Sequence, residues 1–162
     1  MATKRSGAAR MPARAVTTLA ALALAATAAH AGRDTSRLPP NGHKPEFNYL
    51  QYCSGCHRED GRGAPTKGIP DMRGVLGHFL RVDGGREFIV KVPGVSHTPL
   101  ADSDVAALMN WLLGGIAQPS TPPGTAPYTT DEIARLRRER LVDVPGTRKR
   151  LVERLHGMGH AL

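Results

Sequence analysis

Cys53-Ser54-Gly55-Cys56-His57 holds both cysteines of the chain, and its reading decides the fold. Cys-x-x-Cys followed at once by His is the attachment spacing of a c-type haem. The two intervening residues let the thiols span two porphyrin vinyl positions, so each sulfur can form a thioether. The imidazole that follows can swing under the iron and supply an axial nitrogen. Other uses of a cysteine pair fit less well. A thioredoxin-like redox pair belongs beside a βαβ pattern, and the sequence shows none. A structural zinc site closes with four ligands; a second cysteine pair is lacking, and His43, His78 and His97 do not have the spacing to complete one. Cys53 and Cys56 are therefore read as the anchors of one covalent haem c, with His57 as an axial iron ligand.

Upstream, residues 1–31 read as a signal peptide. Lys4, Arg5, Arg10 and Arg14 precede an apolar run from Ala15 to Ala29, and Ala29-His30-Ala31 is a small-x-small cleavage site. About fifteen apolar residues fall short of the roughly twenty that span a bilayer. The expectation is export to the periplasm, cleavage after Ala31 and no transmembrane anchor afterwards. The formal net charge is +8, and four of the positive side chains lie in residues 1–31. The remainder is only moderately basic, which does not point to nucleic acid. Aromatic residues make up 4% of the chain, against 18 glycines and 13 prolines. So thin a core gains from a large apolar insert, as small domains commonly gain from a metal or other staple.

The rest divides by composition. Residues 32–43 read as a flexible lead-in. Residues 44–116 carry the haem motif and helical patterns: Pro45 opens a short helix running into Cys53, with Phe47, Leu50 and Tyr49 as its apolar stripe. Arg58 to Gly68 is a glycine-broken loop. Residues 85–92 fit strand or helix; Phe88, Ile89 and Val92 on one face favour helix, ended by Pro93-Gly94. The clearest helix starts at a capping Asp102, carries Val105, Leu108, Trp111 and Leu112 on one side, and stops at Gly114-Gly115. Residues 117–127 read as an extended Pro-rich linker. Residues 128–162 read as a basic helical extension. Thr129 and Glu132 form a capping box there, and Pro145-Gly146 separates a helix bearing Ile133, Leu136 and Leu141 from one bearing Leu151, Val152 and Leu155.

Three places taken in order resemble the class I c-type cytochromes: Tyr52-Cys53-Ser54-Gly55-Cys56-His57, Ile69-Pro70-Asp71-Met72-Arg73-Gly74, and the helix Leu100 to Leu113 with Trp111. The resemblance covers residues 45–115, about half of the chain beyond the signal. It implies an all-α cytochrome c-like fold in which the first and last helices of that region cross beside the haem. It also implies that the Pro70 carbonyl orients the proximal histidine. The family's sixth ligand is a methionine in the loop before the last helix, but here Val92 to Leu100 contains none. His97 in that loop is a candidate sixth ligand, Met72 is an alternative thioether that matches a packing leucine of the family, and Met109 neighbours the buried stripe. A five-coordinate iron is the remaining option. His78, His156 and His160 are expected at the surface. The expected function is a periplasmic monohaem electron carrier, not an enzyme, serving a redox enzyme as donor or acceptor. Lys67, Arg73, Arg81 and Arg86 are candidates to rim the haem edge and steer an acidic partner. The rival readings are a haem subunit docked on a larger oxidoreductase through the extension, and a small haem catalyst or gas-binding protein with an open sixth site.

Overall fold

In the computed structural model, residues 38–162 are described, and the expected signal peptide lies outside them. The described chain is all-α. Its helices are α1 (Pro45–Tyr52), α2 (Ser54–His57), α3 (Gly85–Lys91), α4 (Pro93–Ser96), α5 (Asp102–Gly114), α6 (Thr130–Arg138) and α7 (Val144–Gly157). Short 3-10 turns at Pro65–Lys67, Leu76–Arg81 and Gln118–Ser120 join them.

Proline sets several helix starts, because it loses no hydrogen bond in the first turn and its φ is already helical. Pro45 opens α1 as expected. Pro93 and Pro145, expected as breaks, also open helices, α4 and α7. Asp143 caps α7 by accepting from the Gly146 amide at 2.8 Å. The ambiguous segment at residue 85 is a helix, with Phe88, Ile89 and Val90 buried. Asp102 is the first residue of α5, with Ala101 at the cap position. Its carboxylate instead pairs with Arg137 at 2.8 Å.

The buried face of α1 differs from the expected stripe. Asn48 and Tyr49 are buried, whereas Phe47 and Leu50 are nearly half exposed. Tyr49 packs its ring 5.5 Å from that of Trp111, so α1 docks on α5 through that face. Asn48 is satisfied there by the Asn41 side chain at 2.9 Å. The described end of the lead-in is also tied down: Leu38 donates to the Pro99 carbonyl at 2.7 Å and Asn41 to Asp104 at 3.0 Å.

One hydrophobic core runs through residues 49–155. Tyr128, Ile133, Leu136, Leu151 and Leu155 of the C-terminal extension belong to the same cluster as Tyr49, Phe79, Phe88, Leu108 and Leu112. The 117–127 connection is not a free spacer. Ser120 is buried, accepts from the Gly77 amide at 3.0 Å and donates to the Ala117 carbonyl at 2.8 Å. At its far end the Asn110 side chain exchanges two bonds with the Tyr128 backbone, at 2.8 and 3.0 Å, as a neighbouring strand would.

Candidate haem site

The Cys-x-x-Cys-His run is held by helical bonds at both ends. The Cys53 amide donates to the Tyr49 carbonyl at 2.8 Å and the His57 amide to the Cys53 carbonyl at 3.0 Å. Cys53 is half-buried beside the core, while Cys56 is exposed. Burial, reinforced by Cys56, pushes the Cys53 thiol up to about 11. Among the described residues, no group of three or more His, Cys, Asp or Glu is placed to hold a metal ion.

The backbone reverses immediately after His57. Arg58 adopts φ 65 and ψ 164, a region that only glycine occupies without strain. The turn is fixed on both sides: the Arg58 amide donates to Ser54 O at 2.7 Å, and Arg58 O accepts from the Tyr49 hydroxyl at 2.6 Å. Burial pushes Tyr49 up to about 12, so this hydroxyl stays a donor across the physiological range.

Downstream, the loop folds back under the histidine. Gly63 donates to His57 O at 2.9 Å, Ala64 and Ile69 pair through two backbone bonds, and Met72 donates to Gly61 O at 2.9 Å. Gly63 sits at φ +61, and a Cβ there would lie 2.4 Å from the Pro70 carbonyl oxygen. Only glycine therefore lets the Ile69-Pro70 backbone come this close. Burial lowers the proton affinity of the His57 ring, and the Pro70 carbonyl acts on it in the opposite direction. Nδ1 of His57 is buried and forms no hydrogen bond of normal geometry. A neutral imidazole is the form that ligates iron, and the lowered pKa favours it. Two thiols, a neutral imidazole and an adjacent backbone acceptor make a donor set that fits a covalently attached haem.

The other candidates belong to other segments of the chain. Met72 and Met109 are core side chains, 9% and 1% exposed. His97 is exposed at the C-terminal end of α4. His78 and His160 are not free surface residues: both are half-buried, with rings stacked 4.5 Å apart, while His156 is exposed. Lys67, Arg73 and Arg81 are exposed, but Arg86 is not available to a partner. It grips the Glu132 carboxylate at 2.7 and 2.8 Å and stacks 3.9 Å over the Tyr128 ring, whose hydroxyl donates to Arg86 O at 2.7 Å. Sequence reasoning missed this lock, because partners some forty residues apart leave no local pattern. The strain at Arg58 and the constraint on Gly63 were equally invisible before the loop was folded.

Two curated proteins are similar to the chain, both of them cytochrome c-552 from Thermus thermophilus, the second from a particular strain of that organism. Each is 29% identical over 119 residues, a match that covers 61% of this chain and 90% and 80% of the two relatives. No family model matches the chain.

Proposed function

We propose that the chain is a member of the class I c-type cytochromes, to which its similarity to cytochrome c-552 points, and that it is a periplasmic monohaem carrier of single electrons rather than an enzyme. The observation that carries this reading is the folded Cys53–His57 motif itself, with its neutral-favouring histidine set against the Pro70 carbonyl. When bound, the haem supplies an iron that gains and loses one electron, at a potential set by its axial ligands, burial and hydrogen bonds.

The chain's residues have separate tasks. Cys53 and Cys56 would hold the group covalently. His57 would ligate its iron, with the Pro70 carbonyl raising the proton affinity of the ring. His97 would be the second iron ligand, since Met72 and Met109 already serve the core and Val92 to Leu100 offers no other strong ligand. Export directed by residues 1–31 accounts for the periplasmic assignment. A redox enzyme is the partner class that fits an exposed apolar strip beside the motif, formed by Phe47, Leu50 and Tyr52 of α1. The α6 and α7 helices bury their apolar sides in their own core, which favours a self-contained carrier over a subunit that docks through its extension.

Mass spectrometry of protein exported with a haem-attachment system tests the reading. The expected product is one covalent haem on a chain beginning at Gly32, lost in the Cys53→Ala, Cys56→Ala variant. A chain carrying a free dithiol or bound zinc overturns it.

A further inference from the structure

Arg137, on the third turn of α6, has a side chain with no solvent exposure. Its guanidinium donates to the Ser96 carbonyl at 3.3 Å, the Leu100 carbonyl at 2.9 Å and the Thr98 carbonyl, and pairs with Asp102 at 2.8 Å. Burying a cation is costly unless its charge is matched and its donors are filled. Here one carboxylate matches the charge, and three alternate carbonyls of a single loop take three further donors. A guanidinium suits that task because its five N–H groups leave a rigid plane in fixed directions.

The loop is the one that carries His97. The Ser96 carbonyl shares a peptide plane with the His97 amide, and that amide donates to Pro93 O at 3.0 Å. This plane is therefore held at both ends, and the next is held by Thr98 donating to Val95 O at 3.4 Å. A second observation concerns Thr98 within this loop. Among the described residues, two buried side-chain polar atoms have no hydrogen-bond partner: Nδ1 of His57 and Oγ1 of Thr98. A buried hydroxyl is normally satisfied, and this unpaired one belongs to the loop whose Thr98 carbonyl Arg137 grips.

We propose that Arg137 is a positioning residue for the second axial side of the haem: it fixes the Ser96–Leu100 backbone and with it His97. The C-terminal extension thereby becomes part of the haem-holding apparatus. The inference rests on the haem-carrying reading above.

The test uses the haem-loaded full chain. Arg137→Lys keeps the charge but replaces the fork with a point donor that cannot serve carbonyls spread over five residues. Covalent haem and far-UV circular dichroism should persist. Amide exchange over residues 96–100 should rise by about tenfold or more, the loss expected when a charge-assisted hydrogen bond goes. The low-spin spectrum of the wild type should become partly high-spin, with new carbon monoxide binding. Arg86→Met, which unties the extension at its other anchor, should lower the melting temperature and leave the spectrum low-spin. An unchanged spectrum in Arg137→Lys overturns the proposal, as does the same spectral change in Arg86→Met. A wild type that carries haem but is already high-spin also overturns it, because the loop then holds no ligand. A wild type without covalent haem overturns the haem reading itself. If Arg137→Lys fails to accumulate, exchange in the wild type decides: amides 97–98 as protected as those of α5 support the clamp, and rapidly exchanging ones refute it.

Discussion

Leu136→Ala asks whether the C-terminal extension is part of the haem domain or an appendage on it. Leu136 is fully buried, in one cluster with Leu108, Leu112 and Phe88 of the preceding helices. Its neighbours on α6 are fixed by the Arg86–Glu132 and Arg137–Asp102 pairs, so the site cannot collapse freely onto the space left behind. A leucine-to-alanine change in such a place costs about 3 kcal/mol or more, the transfer of the lost atoms plus the cavity. For a domain of this size that lowers the melting temperature by about 10 °C. The assay is thermal unfolding of the haem-loaded protein, followed both by circular dichroism at the helical band and by haem absorption. One shared transition displaced by that amount is expected. Val142→Ala, at a site 84% exposed, should shift it by less than about 2 °C. If helix is lost in an early step while the haem signal melts at the wild-type temperature, the extension is a separate unit and the single-core reasoning fails.

Gly63→Ala should cost about 1 kcal/mol or more, because φ is positive there and the new methyl would meet the Pro70 carbonyl; denaturant unfolding checks the stability, and the yield of covalent haem checks whether His57 is displaced. Arg58→Gly should stabilise by up to about 1 kcal/mol, since the residue occupies a backbone region suited to glycine; a lower denaturation midpoint would refute the strain. Alkaline stability should reflect Tyr49. Its folded pKa of about 12 lies above the ordinary value of 10, so folding favours the protonated form. That contribution is complete below pH 10 and is lost as the pH rises from 10 to about 12. Tyr49→Phe should be less stable at neutral pH through the missing bond to Arg58 O, yet flatter across that alkaline window; an equally steep decline in both proteins would refute the assignment.

The Cys-x-x-Cys-His motif and the helical class were legible in the chain because both are local. Thioether attachment needs two thiols and a histidine in one short run, and Cys53 to His57 satisfies it without reference to the rest of the fold. Helix periodicity around Leu108 and Ile133, and the capping Thr129, are equally local and appear where expected, the Glu132 amide donating to Thr129 Oγ1 at 3.2 Å. The prolines misled, because a residue that cannot continue one helix is well suited to begin the next. Expectations about reach and exposure also changed. Arg86 looked like surface charge until Glu132 and Tyr128 were folded against it, and His78 like a solvent-facing ring until His160 stacked on it. The 117–127 segment looked like a spacer until Gly77 and Ser120 joined. None of these pairs has a sequence signature, since each is made by groups tens of residues apart that meet only when the core closes. By itself the sequence determined that the chain is helical and marked Cys53 to His57 as the run to which a haem would be tethered. Only the tertiary structure decided that the last helices share the core of the haem domain, and that a buried arginine from one of them grips the loop bearing His97, because burial and hydrogen-bond partners are properties of the packed chain.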